Sequence, residues 1–226
     1  MTIFCGSSTI PTIHASTGEF GSPQPSLAAL PVATDFTLTG ATVNVPGTEK
    51  KAQVGNLTWI CHNLWLQYRF SMDESILRNT LYPTLRRAVN FYLPFLTEDK
   101  SGKLHLKRTY SPEYGTAEDC NYDIALLRWG CNTLLEASRI LSVDDELIPR
   151  WKQVAEYLTD YPQDENGMMI GKDVPFSRSH RHYSHLLMFY PLYLLNAEQN
   201  GSKELMEKSV EHWHSLPGNI LGYTYT

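Results

Sequence analysis

The chain has 226 residues, 42% hydrophobic and 19% charged, which is enough length and apolar content to bury a sizeable core. Its net charge of −5 creates no field that would draw nucleic acid or anionic lipid, and no apolar run approaches the ~20 residues of a membrane-spanning helix. Four cysteines (Cys5, Cys61, Cys120, Cys131) with no CxxC pair support neither a zinc ribbon nor a redox motif.

Residues 1–54 read as one irregular segment. Gly, Pro, Ser and Thr supply 24 of the first 50 positions, and no helical period appears. Within it, TDFTLTGATVNV (34–45) has the β-branched alternation of a short strand or hairpin. The first Lys or Arg is Lys50, so no positive region precedes an apolar stretch and no secretory signal is expected.

From Asn56 onward the pattern is helical. Leu57, Ile60, Leu64 and Tyr68 form one apolar stripe, and Leu77, Leu81, Leu85, Val89, Tyr92 and Leu96 a longer one. A third runs through Ile124, Leu127, Cys131, Leu134 and Leu141; Trp151, Val154, Ala155 and Leu158 follow behind Pro149, a residue suited to a helix start. SHLLMFYPLYLLN (184–196) is apolar nearly all round, as a buried helix bent or divided at Pro191 would be. Met206, Val210 and Trp213 mark a sixth helix ending before Pro217.

Two long connections, 97–119 and 164–183, interrupt this order, and long ordered loops in helical proteins often carry function. They occupy alternate places between helices. In a ring of helical hairpins such loops emerge on one face. The first contains RTYSPEYGT (108–116), where Glu113 stands behind a proline and between Tyr110 and Tyr114. Glu113 reads either as the first turn of a helix capped by Ser111, or as a general acid kept protonated by aromatic neighbours.

The second contains SRSHRHYSH (177–185), with Arg178, His180, Arg181, His182 and His185 beside Tyr183. Metal binding by His180 and His182 is opposed by the adjacent arginines. Histidines satisfying backbone carbonyls at the start of the next helix, or a pocket whose rigid donors suit sugar hydroxyls, are the other readings. Trp59, Trp65 and the tyrosines near these loops could stack on sugar rings, whereas Trp129 and Trp151 read as core. In EDCNYD (118–123), Asp119 is expected to cap the third helix and Asp123 to face its dipole, so neither is assigned to catalysis.

Several of these segments in one order resemble glycoside hydrolase family 95: GNLTWICHNLWLQYRFSMD (55–73), LYPTLRRAVNFYLPFLTEDKSGKLHL (81–106), TYSPEYGT, and FSRSHRHYSHLLMFYPLYL (176–194). The resemblance runs over about residues 55–226, and its most specific parts are the SPE and the HRHxSHL ahead of a YP. It implies a mainly α fold, part of an (α/α)6 barrel or toroid of helical hairpins. It also implies inverting hydrolysis of terminal α-L-fucosyl or α-L-galactosyl residues of an oligosaccharide or glycan.

By that resemblance Glu113 is the general acid, and Trp59, His180, Arg181, His182 and His185 belong to the sugar-binding subsite. No cofactor is implied, and a periplasmic or extracellular setting is. The family's SPE is more often followed by Asn, where this chain has Tyr114. The family's water-activating Asn-x-Asn and its downstream aspartate have no counterpart here. An inverting hydrolase needs a base and a water opposite its acid, so the expectation is one segment of a catalytic domain. The alternative is a catalytically silent α/α-toroid that binds carbohydrate or serves as a scaffold.

Overall fold

The computed structural model describes residues 54–112, 114–180 and 182–217. The strand or hairpin expected at 34–45 lies outside them. The described chain is mainly helical, with three short antiparallel hairpins set into the connections.

α1 (Asn56–Ser71) buries Leu57, Cys61, Trp65 and Tyr68, whereas the expected stripe used Ile60 and Leu64. The buried face is rotated by one position because Trp65 and Cys61, not the aliphatics beside them, meet the core; Ile60 and Leu64 are half-buried. The helix ends at Met72, whose left-handed φ of 56° lets its N–H reach back to Tyr68 O.

A short α2 (Glu74–Ile76) starts where Asp73 Oδ1 accepts the Ser75 N–H at 2.8 Å. It passes through one π turn (Leu77–Leu81) into α3 (Tyr82–Tyr92). In that turn the Tyr82 N–H bonds Leu77 O, five residues back. The wider turn lies just ahead of Pro83, which has no N–H to give the ladder. The second stripe is buried as its spacing required, except that Leu96 begins a strand rather than ending a helix.

α4 (Asn121–Leu141) is the central helix, buried on most faces, and packs against α1, α3 and α5 (Ile148–Tyr157). α6 is Ser202–Ser215. The expected helix at 184–196 is not formed. Ser184–Leu186 makes a 3-10 turn and the chain then coils through Pro191 and Tyr193, the latter at φ 50°. Pro191 has no N–H to give a helical ladder, so helix is lost while burial survives at Leu186, Leu187, Met188, Phe189 and Leu192.

The long connections are ordered by hairpins that a reading of turns and loops missed. β1 (Leu96–Glu98) pairs with β2 (Leu104–Leu106), and β3 (Thr109–Ser111) with β4 (Gly115–Ala117). β5 (Gln163–Asp164) pairs with β6 (Gly167–Met168). Strands this short show no alternation long enough to register as a period.

Most buried apolar residues form one cluster spanning α1 to α5 and the 186–192 coil. A second, small cluster of Ala117, Ile170, Phe176 and Trp213 is edged by Tyr114, Val174, Tyr183 and Leu216. That second cluster positions the site.

Candidate functional site

The loop 164–183 is sewn to the start of α4 and to β4. Asn121 donates from its backbone to Ile170 O at 2.9 Å, and from its amide to Pro162 O and Met169 O at 2.8 and 2.7 Å. Lys172 N–H bonds Glu118 O at 2.8 Å. Gly171 lies so close to Ala117 and the Glu118 carbonyl that a Cβ there would collide with both. Glycine at this position is what lets the two loops touch.

Asp119 does not cap α4. Cys120 is the N-cap residue and offers no side-chain cap bond. Asp119 turns back at φ 46°; its carboxylate accepts the Leu106 N–H at 2.8 Å and meets His105 Nδ1 at 2.7 Å. It fastens hairpin β1–β2 to the approach of α4. The carboxylate also raises the His105 pKa.

Above this seam the two expected segments converge. Ser111 closes β3 and Pro112 sits in the β3–β4 turn, so Ser111 does not cap a helix. Position 113 lies outside the described residues, as does Arg181. Ser111, two residues before position 113, and Tyr114, just after it, are both tied to the second segment. Ser111 Oγ and Ser184 Oγ share a buried hydrogen bond of 2.9 Å. Tyr114 Oη accepts the backbone N–H of Ser177 at 2.8 Å and of Arg178 at 3.2 Å. The Arg178 guanidinium donates to the Tyr114 carbonyl and lies 4.3 Å over the Tyr114 ring.

Rings fill the space between. Phe176 is stacked between Tyr114 (centroids 5.2 Å apart) and His185 (4.2 Å apart, planes 11° from parallel). His180 meets the Tyr114 ring edge-on at 5.7 Å, and His182 lies 5.2 Å from His180. His180 Nδ1 accepts the His182 N–H at 3.0 Å. Trp213 Nε1 donates to His180 O at 3.1 Å, and His212 Nε2 donates to Phe176 O at 2.7 Å. α6 therefore holds the histidine segment from behind through the two residues at its end. Nothing in the spacing of α6 points to that task, because both bonds join residues more than 30 positions apart.

The histidines differ in what they can do. His185 is 1% exposed, and burial, with smaller contributions from His212 and His180, pushes its pKa down to about 3. It is a neutral group, and its Nδ1 has no hydrogen-bond partner among the described residues. It does not use Nδ1 to satisfy a carbonyl, which removes that part of the purely structural reading. His180 and His182 are half-buried. Among the described residues no group of three or more His, Cys, Asp or Glu is arranged to hold a metal ion.

The Trp59 indole lies 5.7 Å from the Tyr122 ring and packs on the main cluster. Beside Tyr122 stands Asp123, a fully buried carboxyl in the first turn of α4. Burial raises its pKa to about 7, against the lowering effect of Thr109 and Tyr92, and Tyr92 Oη donates to it at 3.1 Å. It is more than a dipole partner: it is a carboxylic acid embedded in the core.

The model of the glycosyl hydrolase family 95 catalytic domain matches residues 30–212. Alpha-L-fucosidase 2 of Arabidopsis thaliana is 27% identical over 156 residues, covering 63% of this chain and 18% of that protein. Probable alpha-fucosidase A of Aspergillus niger is 24% identical over 170 residues, covering 66% and 20%. The chain thus spans about a fifth of the length of these curated relatives.

Proposed function

The chain belongs to glycosyl hydrolase family 95, and from that premise we propose that it carries the acid and sugar-holding half of an α-L-fucosidase-type centre. Glu113 protonates the glycosidic oxygen, while His180, Arg181 and His182, with His185 behind them, hold a terminal α-L-fucosyl or α-L-galactosyl residue of a glycan. Residues 55–226 then form part of an (α/α)6 toroid, with the irregular segment 1–54 ahead of it, and Trp59 lines the same cavity.

One observation carries this reading. The turn around position 113 is hydrogen-bonded to the segment that contains the histidines, through Ser111 to Ser184 and through Tyr114 to Ser177 and Arg178. A general acid must stand within hydrogen-bond reach of the leaving oxygen of the bound sugar, and this juxtaposition supports reading Glu113 together with the histidine segment.

Inversion requires attack from the face opposite the acid. No residue of this chain is assigned to activate water, so the test supplies a nucleophile that needs no base. An aryl α-L-fucoside with a poor leaving group is incubated with azide. The C1–O bond breaks as the C1–N bond forms, and the Glu113 proton passes to the departing oxygen. The wild-type chain should release the phenol and give the β-L-fucosyl azide, and Glu113→Gln should lower the rate by at least roughly a hundredfold, as loss of a general acid does. Equal rates from both would refute the acid. Sugar binding without turnover under any nucleophile would favour the silent carbohydrate-binding module.

A further inference from the structure

Tyr114 stands where the family resemblance leads one to expect asparagine, and the structure gives that tyrosine a task. Its hydroxyl reaches the backbone N–H groups of two consecutive residues, Ser177 and Arg178. An asparagine side chain on the same backbone is too short to reach them. The ring is fixed on its inner face by Phe176 and at an edge by His180. The guanidinium of Arg178 covers the ring and returns a hydrogen bond to the Tyr114 carbonyl. The contact is therefore closed in both directions: phenol to backbone, and arginine to backbone.

The β3–β4 turn runs only from Ser111 to Gly115. Within so short a turn, movement at Tyr114 is passed directly to its neighbour. We infer that Tyr114 and Arg178 form a positioning clasp, which sets where the carboxyl of residue 113 stands relative to the His180–His182 side of the site. The inference rests on the reading of Glu113 as the acid. It adds two residues that neither act on substrate nor hold it, and that act through their neighbours. The donors Tyr114 uses are main-chain groups, so the clasp fixes the backbone of the histidine segment as well as that of the acid turn.

Arginine is required here for its shape as well as its charge. A planar guanidinium can lie over a phenol ring and donate along its edge at the same time, and a lysine ammonium cannot do both. That separates positioning from simple electrostatics.

The test follows the Glu113 carboxyl by carbon-detected NMR titration in the full chain, wild type against Tyr114→Phe, Arg178→Lys and Arg178→Ala, with thermal melting to confirm folding. Tyr114→Phe keeps the ring and every charge, and Arg178→Lys keeps the charge. The clasp predicts that both move the Glu113 midpoint by about half a unit or more. It also predicts that azide-supported kcat falls roughly tenfold with KM within about twofold, as misplacement of a reacting group does. Folded Tyr114→Phe and Arg178→Lys variants that titrate like the wild type overturn the clasp. A midpoint shifted in Arg178→Ala and restored in Arg178→Lys overturns it too, because charge alone would then account for the effect. Should Tyr114→Phe fail to fold, Arg178→Lys decides. Failure of the acid reading looks different: Glu113→Gln would retain wild-type turnover, whatever the titrations show.

Discussion

Asp123 and His185 are buried titratable groups, one in each part of the core, and burial drives them in opposite directions. Asp123 lies among the helices, its carboxyl pushed up to about 7 and met by the Tyr92 hydroxyl. His185 lies flat on Phe176 among the rings of the loop platform, its imidazole pushed down to about 3. Both sites favour the uncharged form. They differ in how they are held: Asp123 accepts from the Tyr92 hydroxyl through Oδ1 and leaves Oδ2 without a partner among the described residues, while His185 lies flat on Phe176 and leaves Nδ1 without one. The helical region is held mainly by buried volume, and the platform mainly by directional ring contacts.

The largest effect should come from the helical region. Trp151 is fully buried and donates from Nε1 to Asn90 Oδ1 at 3.2 Å. Trp151→Ala should cost about 3–5 kcal/mol by chemical denaturation. A loss under about 1 kcal/mol would mean that α5 is not part of the main core.

The second prediction uses the opposed shifts. Asp123 has a folded pKa above its unfolded value, so its contribution is fully present below about pH 4 and is lost as pH rises towards about 7. His185 has a folded pKa below its unfolded value, so its contribution is lost as pH falls from about 6.5 towards about 3. Between those limits the two slopes cancel. With Asp123→Asn, stability should rise with pH across that window, by on the order of 1 kcal/mol per pH unit. With His185→Phe it should fall by a similar amount. Parallel profiles for wild type and both variants would contradict the burial of either group.

The smallest effect tests the platform. Phe176→Leu keeps an apolar side chain but ends both stacks, and should cost about 1–2 kcal/mol, less than Trp151→Ala. It should also weaken L-fucose binding measured by NMR, whereas Trp151→Ala should not do so in molecules that remain folded. Equal weakening by both variants would erase the distinction between the two regions.

How much of this was legible depended on the length over which each pattern repeats. α4 kept its stripe of Ile124, Leu127, Cys131, Leu134 and Leu141, and Pro149 started α5, because several turns of helix repeat the same signal. Residues 184–196 misled because a buried coil and a buried helix are equally apolar, and Pro191 was decisive rather than a local bend. Asp119 looked like a cap by position, but its carboxylate goes to Leu106 and His105, a pairing across 13 and 14 residues that no local pattern encodes. At the candidate site, the histidine segment and the SPE turn were readable as motifs. Phe176, His212 and Trp213 were not, since their roles arise only from where α6 and the 164–183 loop come to rest.

The central claim is that the 108–116 turn and the 177–185 segment make one sugar site. An L-fucose titration of the labelled chain, followed by proton–nitrogen NMR, tests it most directly. The account predicts that the amides of Tyr114 and Gly115 shift together with those of His180, His182 and Tyr183 along a single binding curve, while those of the outer face of α5 stay still. Shifts confined to one segment, or absent from both in a folded chain, would contradict it.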